Sequence, residues 1–273
     1  MNNLKPLEFG DIFNYTFRIL RRRFLHIYIA MGWIYLPIAL LYSYYYNKTL
    51  GWSFAGALGQ TGSDVGFDIL LQTYALLGIY TLVQQILRPL TAAGVVKVVT
   101  MTLRGEETSP GDIFRSIFEN WNWLKLLALG AVITVTLFMG ALALLLPALF
   151  FSVTFSLVTQ VLMVEGGSVW RALSRSWSMV LKDLGRVALV FLLMGLLTYF
   201  AASVVTTPIT LGMGLLIAFE VENIIWFMAL SLLSGFLGLL IAPVPIIALT
   251  LLYHDLRARR EGIDLERRID ILS

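Results

Sequence analysis

The feature that most constrains this chain is a set of six apolar runs, at 24–46, 69–103, 124–146, 148–164, 184–206 and 224–253. An α-helix needs about 20 apolar residues, with a range of roughly 17–25, to cross the hydrocarbon core of a bilayer. In lipid a backbone must satisfy its own polar groups, and a helix does so within one segment. The runs therefore predict an all-α polytopic membrane protein, a single integral membrane domain over 1–273 with six transmembrane helices. Composition agrees: 58% of residues are hydrophobic and 14% charged, where a soluble domain has about 45–50% and about 25%. Read as one helix, 124–164 would be about 60 Å long, twice the core, so Pro147 is assigned as the break between the third and fourth spans. The run at 24–46 exceeds the apolar region of about 7–15 residues in a signal peptide. It is expected to stay uncleaved despite the Ala55-Gly56-Ala57 triplet behind it.

Lysine and arginine orient the spans, because they collect in cytoplasmic segments. With six spans, one face receives Arg21-Arg22-Arg23, Arg104, Arg115, Lys125, the segment from Arg171 to Arg186 and the arginines of the tail at 254–273. The other face receives Lys48 alone. Both termini are expected in the cytoplasm, with the chain in a cell membrane of the prokaryotic plasma-membrane kind.

A short signal repeats on that basic face. Gly10-Asp11-Ile12-Phe13 recurs as Gly111-Asp112-Ile113-Phe114, and Gly167-Ser168-Val169-Trp170 aligns with both. Each copy precedes a span heading outward, and its Asp or Ser suits the unpaired N–H groups of a first helical turn. The apolar positions continue in register as Ile12, Phe13, Thr16, Phe17 and Leu20; Ile113, Phe114, Ile117, Phe118 and Trp121; and Val169, Trp170, Leu173, Ser174 and Trp177. Such spacing makes one apolar stripe on a helix. The chain thus reads as three units, each an interfacial helix (10–22, 111–122, 167–182) followed by a transmembrane hairpin. Helices of this kind lie in the headgroup plane with aromatics buried and arginines toward anionic lipid. Arg18, Arg115, Arg171 and Arg175 are the candidate lipid-phosphate contacts on them.

The outer segments at 47–68 and 208–223 are apolar yet Gly-rich and read as short interfacial or re-entrant pieces. Arg88-Pro89 interrupts the second run. In mid-membrane an arginine marks a functional site; at the inner edge it reaches out to lipid phosphate. Gln84 and Gln85 mark a polar inner end, which assigns Arg88 to anion or lipid-phosphate contact and Pro89 to a helix kink. Pro243 and Pro245 break the sixth span, after Ser234, Gly235 and Gly238, whose small side chains permit close helix approach. A further cluster is expected at the inner face, with Glu165, Arg175, Asp255, Arg257 and Glu261 forming ion pairs that tie the tail to the interfacial helices.

Three stretches carry a family resemblance: PLEFGDIFNYTFRILRRRF, EGGSVWRALSRSWSMVLKD and LLYHDLRARREGIDLE. Across nearly its whole length the chain resembles the prokaryotic membrane proteins grouped as the glycerophosphoryl diester phosphodiesterase membrane domain family. Residues carrying the likeness include Pro6, Arg18, Glu165, Arg175, Trp177, Tyr253, Asp255, Arg257, Arg259, Gly262 and Asp264. The resemblance implies that hydrolysis, in relatives that perform it, belongs to a separate metal-binding barrel domain. That domain is expected to be absent here, so phosphodiesterase activity is not expected.

The chain has no cysteine, which removes thiolate chemistry, and two histidines. No Ser/His/Asp set or metal cluster converges in the sequence, and no carboxylate lies within a span to couple cations to transport. The expected function is a non-enzymatic scaffold or accessory subunit at the cytoplasmic leaflet. The alternative is a transporter, channel or lipid-handling protein with a path between the repeats near Arg88. Expected partners are membrane lipids with anionic headgroups and a protein at the cytoplasmic face, with no cofactor. Nucleic acid is not expected, because topology accounts for the positive charge.

Overall fold

The computed structural model describes residues 8–55, 63–107, 109–143, 145–219 and 223–261. Among these residues every regular element is helical. In chain order the α-helices are α1 (Phe9–Arg22), α2 (Phe24–Ala55), α3 (Ser63–Arg104), α4 (Pro110–Phe118), α5 (Asn122–Leu142), α6 (Leu145–Thr154), α7 (Val158–Glu165), α8 (Val169–Lys182), α9 (Leu184–Ala218), α10 (Ile224–Ile241) and α11 (Pro243–Glu261). Six segments are long and apolar enough to cross a bilayer: Phe24–Tyr45, Tyr74–Arg104, Asn122–Leu142, Leu146–Glu165, Leu184–Leu216 and Ile225–Arg259. The chain is an all-α, multi-pass membrane protein.

Several helix boundaries differ from those the sequence suggested. The outer segments are not separate pieces where they are described: α2 continues to Ala55, α3 begins at Ser63 and α9 runs through Pro208 to Ala218. Extending a helix pairs backbone groups that a loop in lipid would leave unpaired. For the same reason α3 passes through Pro89 without interruption, and the Thr91 hydroxyl donates to the Arg88 carbonyl beside the proline at 2.9 Å. Pro147 is not the break either. The chain turns after α5 at Ala143, and Pro147 is the third residue of α6, in a first turn where its missing N–H costs nothing.

The fourth span is instead divided at 155–157. Thr154 ends α6 with its hydroxyl on the carbonyls of Phe150 (3.0 Å) and Phe151 (3.1 Å), the kind of local bond that competes with the helical ladder. Its freed carbonyl accepts from the Ser176 hydroxyl of α8 at 2.8 Å. The sixth span does break where its prolines suggested, at Ala242, with Pro243 as the first residue of α11. That position suits a residue with no N–H.

The described residues form two compact units. One comprises 8–31, 86–198 and 242–261. Its core includes Ile12, Ile27, Ile113, Leu126, Leu157 and Leu251, all fully buried. Two glycines let its helices approach closely. A Cβ on Gly130 of α5 would collide with the backbone of Ile86 on α3, and one on Gly94 would lie 2.8 Å from the Ala30 Cβ of α2. Small residues at such crossings are how membrane helices gain packing. Gly235 and Gly238, which the sequence offered for that purpose, have no described atom within 4 Å of a built Cβ.

The other unit comprises 32–85 and 199–241. Within it the hydroxyls of Ser43 and Ser231 share a 2.7 Å hydrogen bond that links α2 to α10. Its large apolar side chains, among them Leu41, Tyr74, Phe200 and Trp226, are exposed, as expected of surfaces solvated by lipid.

Gly130→Ala is expected to lower the melting temperature of the detergent-solubilised protein, with an overpacking cost on the order of 1–3 kcal/mol. Gly78→Ala, where a Cβ meets nothing within 4 Å, is expected to leave it unchanged or raise stability by about 0.4–1 kcal/mol. Indistinguishable melting curves for the two would remove the close crossing.

Candidate functional site

Three short helices, α1, α4 and α8, each lead into a long apolar one. In α1 the Glu8 N–H donates to Asp11 at 3.1 Å, and in α4 the Ser109 N–H donates to Asp112 at 3.2 Å. The aspartates thus sit third in their helices and reach back to the cap, each in a capping box. In α8 the matching polar residue does another job. Ser168 is itself the cap and accepts from the Arg171 N–H at 3.3 Å.

The third copy of the tetrad is therefore three residues out of register with the other two. Gly10 and Gly111 are helical, whereas Gly167 has φ +95 and belongs to the turn before α8, a conformation glycine adopts without a Cβ penalty. Counted from each helix start, a set of buried positions recurs, to which α8 adds Leu173 and Val180. Ile12, Thr16 and Ile19 in α1, Ile113 and Ile117 in α4, and Ala172, Ser176 and Met179 in α8 occupy the fourth, eighth and eleventh places. Trp177 takes the place of Phe17 and Phe118.

Only part of the sequence-derived stripe is buried. Phe13, Phe17, Phe118, Trp121 and Trp170 stay exposed, Trp170 at 75%. A narrow aliphatic edge faces the protein, and most of the aromatic edge beside it faces away. Trp177 is the exception, resting on Phe150, Phe151 and Phe155 of the α6 segment at ring distances of 5.6, 6.2 and 6.1 Å. Arg18, Arg115 and Arg171 are exposed on the same helices, with Arg18 lying 5.1 Å from the Tyr15 ring centroid.

Arg175 is not part of that exposed set. Its guanidinium pairs with Glu165 at 3.3 Å, and Glu165 also accepts from the buried Tyr253 hydroxyl at 2.9 Å. This joins α7, α8 and α11. Two residues on, the buried Asp255 pairs with Arg186 at 2.9 Å and with Arg259 at 3.0 Å. The expected inner cluster thus exists around Glu165, Arg175 and Asp255, but its wiring differs. Asp255 reaches the first turn of α9 rather than an interfacial helix, and the helix α11 packs against α1. Arg257 lies beside Tyr253 and His254.

Arg186 is the partner that sequence reasoning missed. Its signal was a lone cation two residues into an otherwise apolar span. The side chain of Glu261, the residues Lys5, Pro6, Gly262, Asp264, Glu266, Arg267 and Arg268, and the side chain of Lys48 lie outside what is described. Arg88 is exposed and forms no ion pair among the described residues. Among the described residues, no group of three or more His, Asp and Glu is placed to hold a metal ion.

Comparison with protein-family models, curated proteins and solved structures finds no match for this chain.

Asp255 is the most demanding group of the network, being 3% exposed and holding two arginines. Asp255→Asn is expected to destabilise by about 1.5–3 kcal/mol, the usual worth of hydrogen bonds to a charged group. Arg259→Gln, at a 39% exposed side chain, is expected to cost no more than about 1 kcal/mol. Thermal melts of the two variants in one detergent check the order; the reverse order would mean that Arg186 does not depend on Asp255.

Proposed function

We propose that this chain is a non-enzymatic scaffold or accessory subunit, built from three repeats of a lipid-lying helix followed by a membrane hairpin. In this reading α1, α4 and α8 lie in the headgroup layer of the cytoplasmic leaflet of a prokaryotic plasma membrane, and both termini are cytoplasmic. The observation that carries it is the shared burial pattern of the three helices, together with exposed aromatics and arginines beside it. Burying an aliphatic edge against the protein while presenting Phe, Trp and Arg outward is the surface expected of a helix at a lipid interface. In water, rings such as Trp121 and Trp170 would be left as exposed apolar surface.

The resemblance to the glycerophosphoryl diester phosphodiesterase membrane domain family fits this reading. Of its residues, Glu165, Arg175 and Tyr253 meet in one set of contacts, and Asp255, on the same helix as Tyr253, holds Arg186 and Arg259. They are placed to hold helices together rather than to act on a substrate. A protein partner at the cytoplasmic face completes this reading.

A transport or lipid-handling role ranks second. Its support is Arg88, which lies within a span and has no ion pair among the described residues, and the proline break at Ala242.

The chain contains no cysteine, so single-cysteine variants test the placement directly. Arg18→Cys, Arg115→Cys and Arg171→Cys are all expected to react with a membrane-impermeant maleimide in inverted vesicles and to stay unlabelled in intact cells. Labelling of any one from the outside would sink both the orientation and the threefold repeat.

A further inference from the structure

Beside the ion-pair network, α3 and α7 enclose a cleft of about 160 Å³ lined by Val96, Lys97, Thr100, Met101, Arg104, Met163 and Val164. Lys97 and Arg104 are seven residues apart on α3, two helical turns, so both present to one face with Thr100 between them. Neither cation has an ion-paired carboxylate among the described residues. The nearest acid in sequence to the α7 wall, Glu165, is already engaged by Arg175 and Tyr253, and no acid lines the cleft. Thr100 is held by a 3.2 Å contact between its hydroxyl and Nε2 of His254. Two uncompensated cations and a positioned hydroxyl beside an apolar wall form a receptor for an anion attached to something apolar.

We propose that this cleft binds a single phosphate ester group, with Lys97 and Arg104 contacting its charged oxygens and Thr100 a further one. Size decides the class. Sites that enclose a whole drug-sized molecule occupy roughly 300–1,000 Å³, so 160 Å³ admits a headgroup and leaves any attached chain outside. Charge-assisted contacts from both cations supply the affinity, and Val96, Met101, Met163 and Val164 favour a phospholipid over a free ion. The site rests on the lipid-facing reading above only for the source of its phosphate. It uses residues that the aromatic helices do not.

The test uses the full chain purified in neutral detergent. Dihexanoyl phosphatidic acid is expected to bind about tenfold or more tightly than dihexanoyl phosphatidylcholine, and Lys97→Gln with Arg104→Gln is expected to abolish that preference. Arg259→Gln, which removes a cation outside the cleft, is expected to retain it. On the unaltered protein, where folding of a variant is not at issue, the phosphatidic acid is expected to slow acylation of Lys97 by an amine-reactive reagent. If inorganic phosphate protects Lys97 as well as the lipid does, the site takes the phosphate group from solution, and the shared chemistry stands. Unchanged binding in the double variant, or no protection of Lys97 by either probe, overturns the proposal. Failure here leaves the cysteine-labelling pattern untouched, and a failed labelling pattern leaves Lys97 protection intact.

Discussion

A peptide group in hydrocarbon has no water to turn to, and that constraint governs most of what this chain does. It explains why α2, α3 and α9 run on through Pro37, Pro89 and Pro208, and why segments rich in glycine stay helical rather than forming loops. The two interruptions found within spans are equally instructive. At 155–157 the carbonyl released by Thr154 is met by Ser176 from another helix. At Ala242 the interruption falls before a proline that has no N–H to lose. Breaks occur where a partner is supplied or where nothing needs one.

Charge obeys a related rule at the end of α11. Asp255 is buried, and it is tolerable there because Arg186 and Arg259 both reach it. Glu165 likewise takes one cation and one tyrosine hydroxyl. Carboxylates with these partners act as fasteners among α7, α8, α9 and α11. Lys97 and Arg104 of α3 have no ion-paired carboxylate among the described residues. The contrast between saturated acids and unsaturated bases separates a structural network from a surface with binding capacity.

How much of this could be read in advance depended on the range of the interaction involved. Spans were legible because hydropathy is a local sum, and the cap of α8 was legible because Ser168 lies three residues from the Arg171 N–H that it accepts. Asp11 and Asp112 were misread: each sits third in its helix and takes the N–H of the residue before the helix, rather than an N–H of the first turn. Gly167-Ser168 spells nearly the same signal as Gly10-Asp11, but Gly167 has φ +95 and Gly10 is helical. Backbone state at a glycine depends on what the turn must connect, and composition does not record it. The aromatic stripe was half right for a similar reason: periodicity names a face about 100° wide, while the width of the contact is set by the neighbouring helix.

The sequence by itself determined that this is an all-helical chain made to lie in a bilayer, where five of the six long apolar segments meet their polar ends to within a turn, and that Ser168 could cap a short helix. Those are consequences of solvent and of bonds spanning a few residues. Tertiary structure decided which of the glycines are crossings, that Gly130 lies against Ile86 while Gly235 meets nothing described within 4 Å, and that Asp255 belongs to Arg186, 69 positions away along the chain. It also decided that Lys97 and Arg104 face a cleft with no acid lining it. Each of these depends on which surfaces meet when distant helices pack, and a pairing between remote segments leaves no periodic trace in either one.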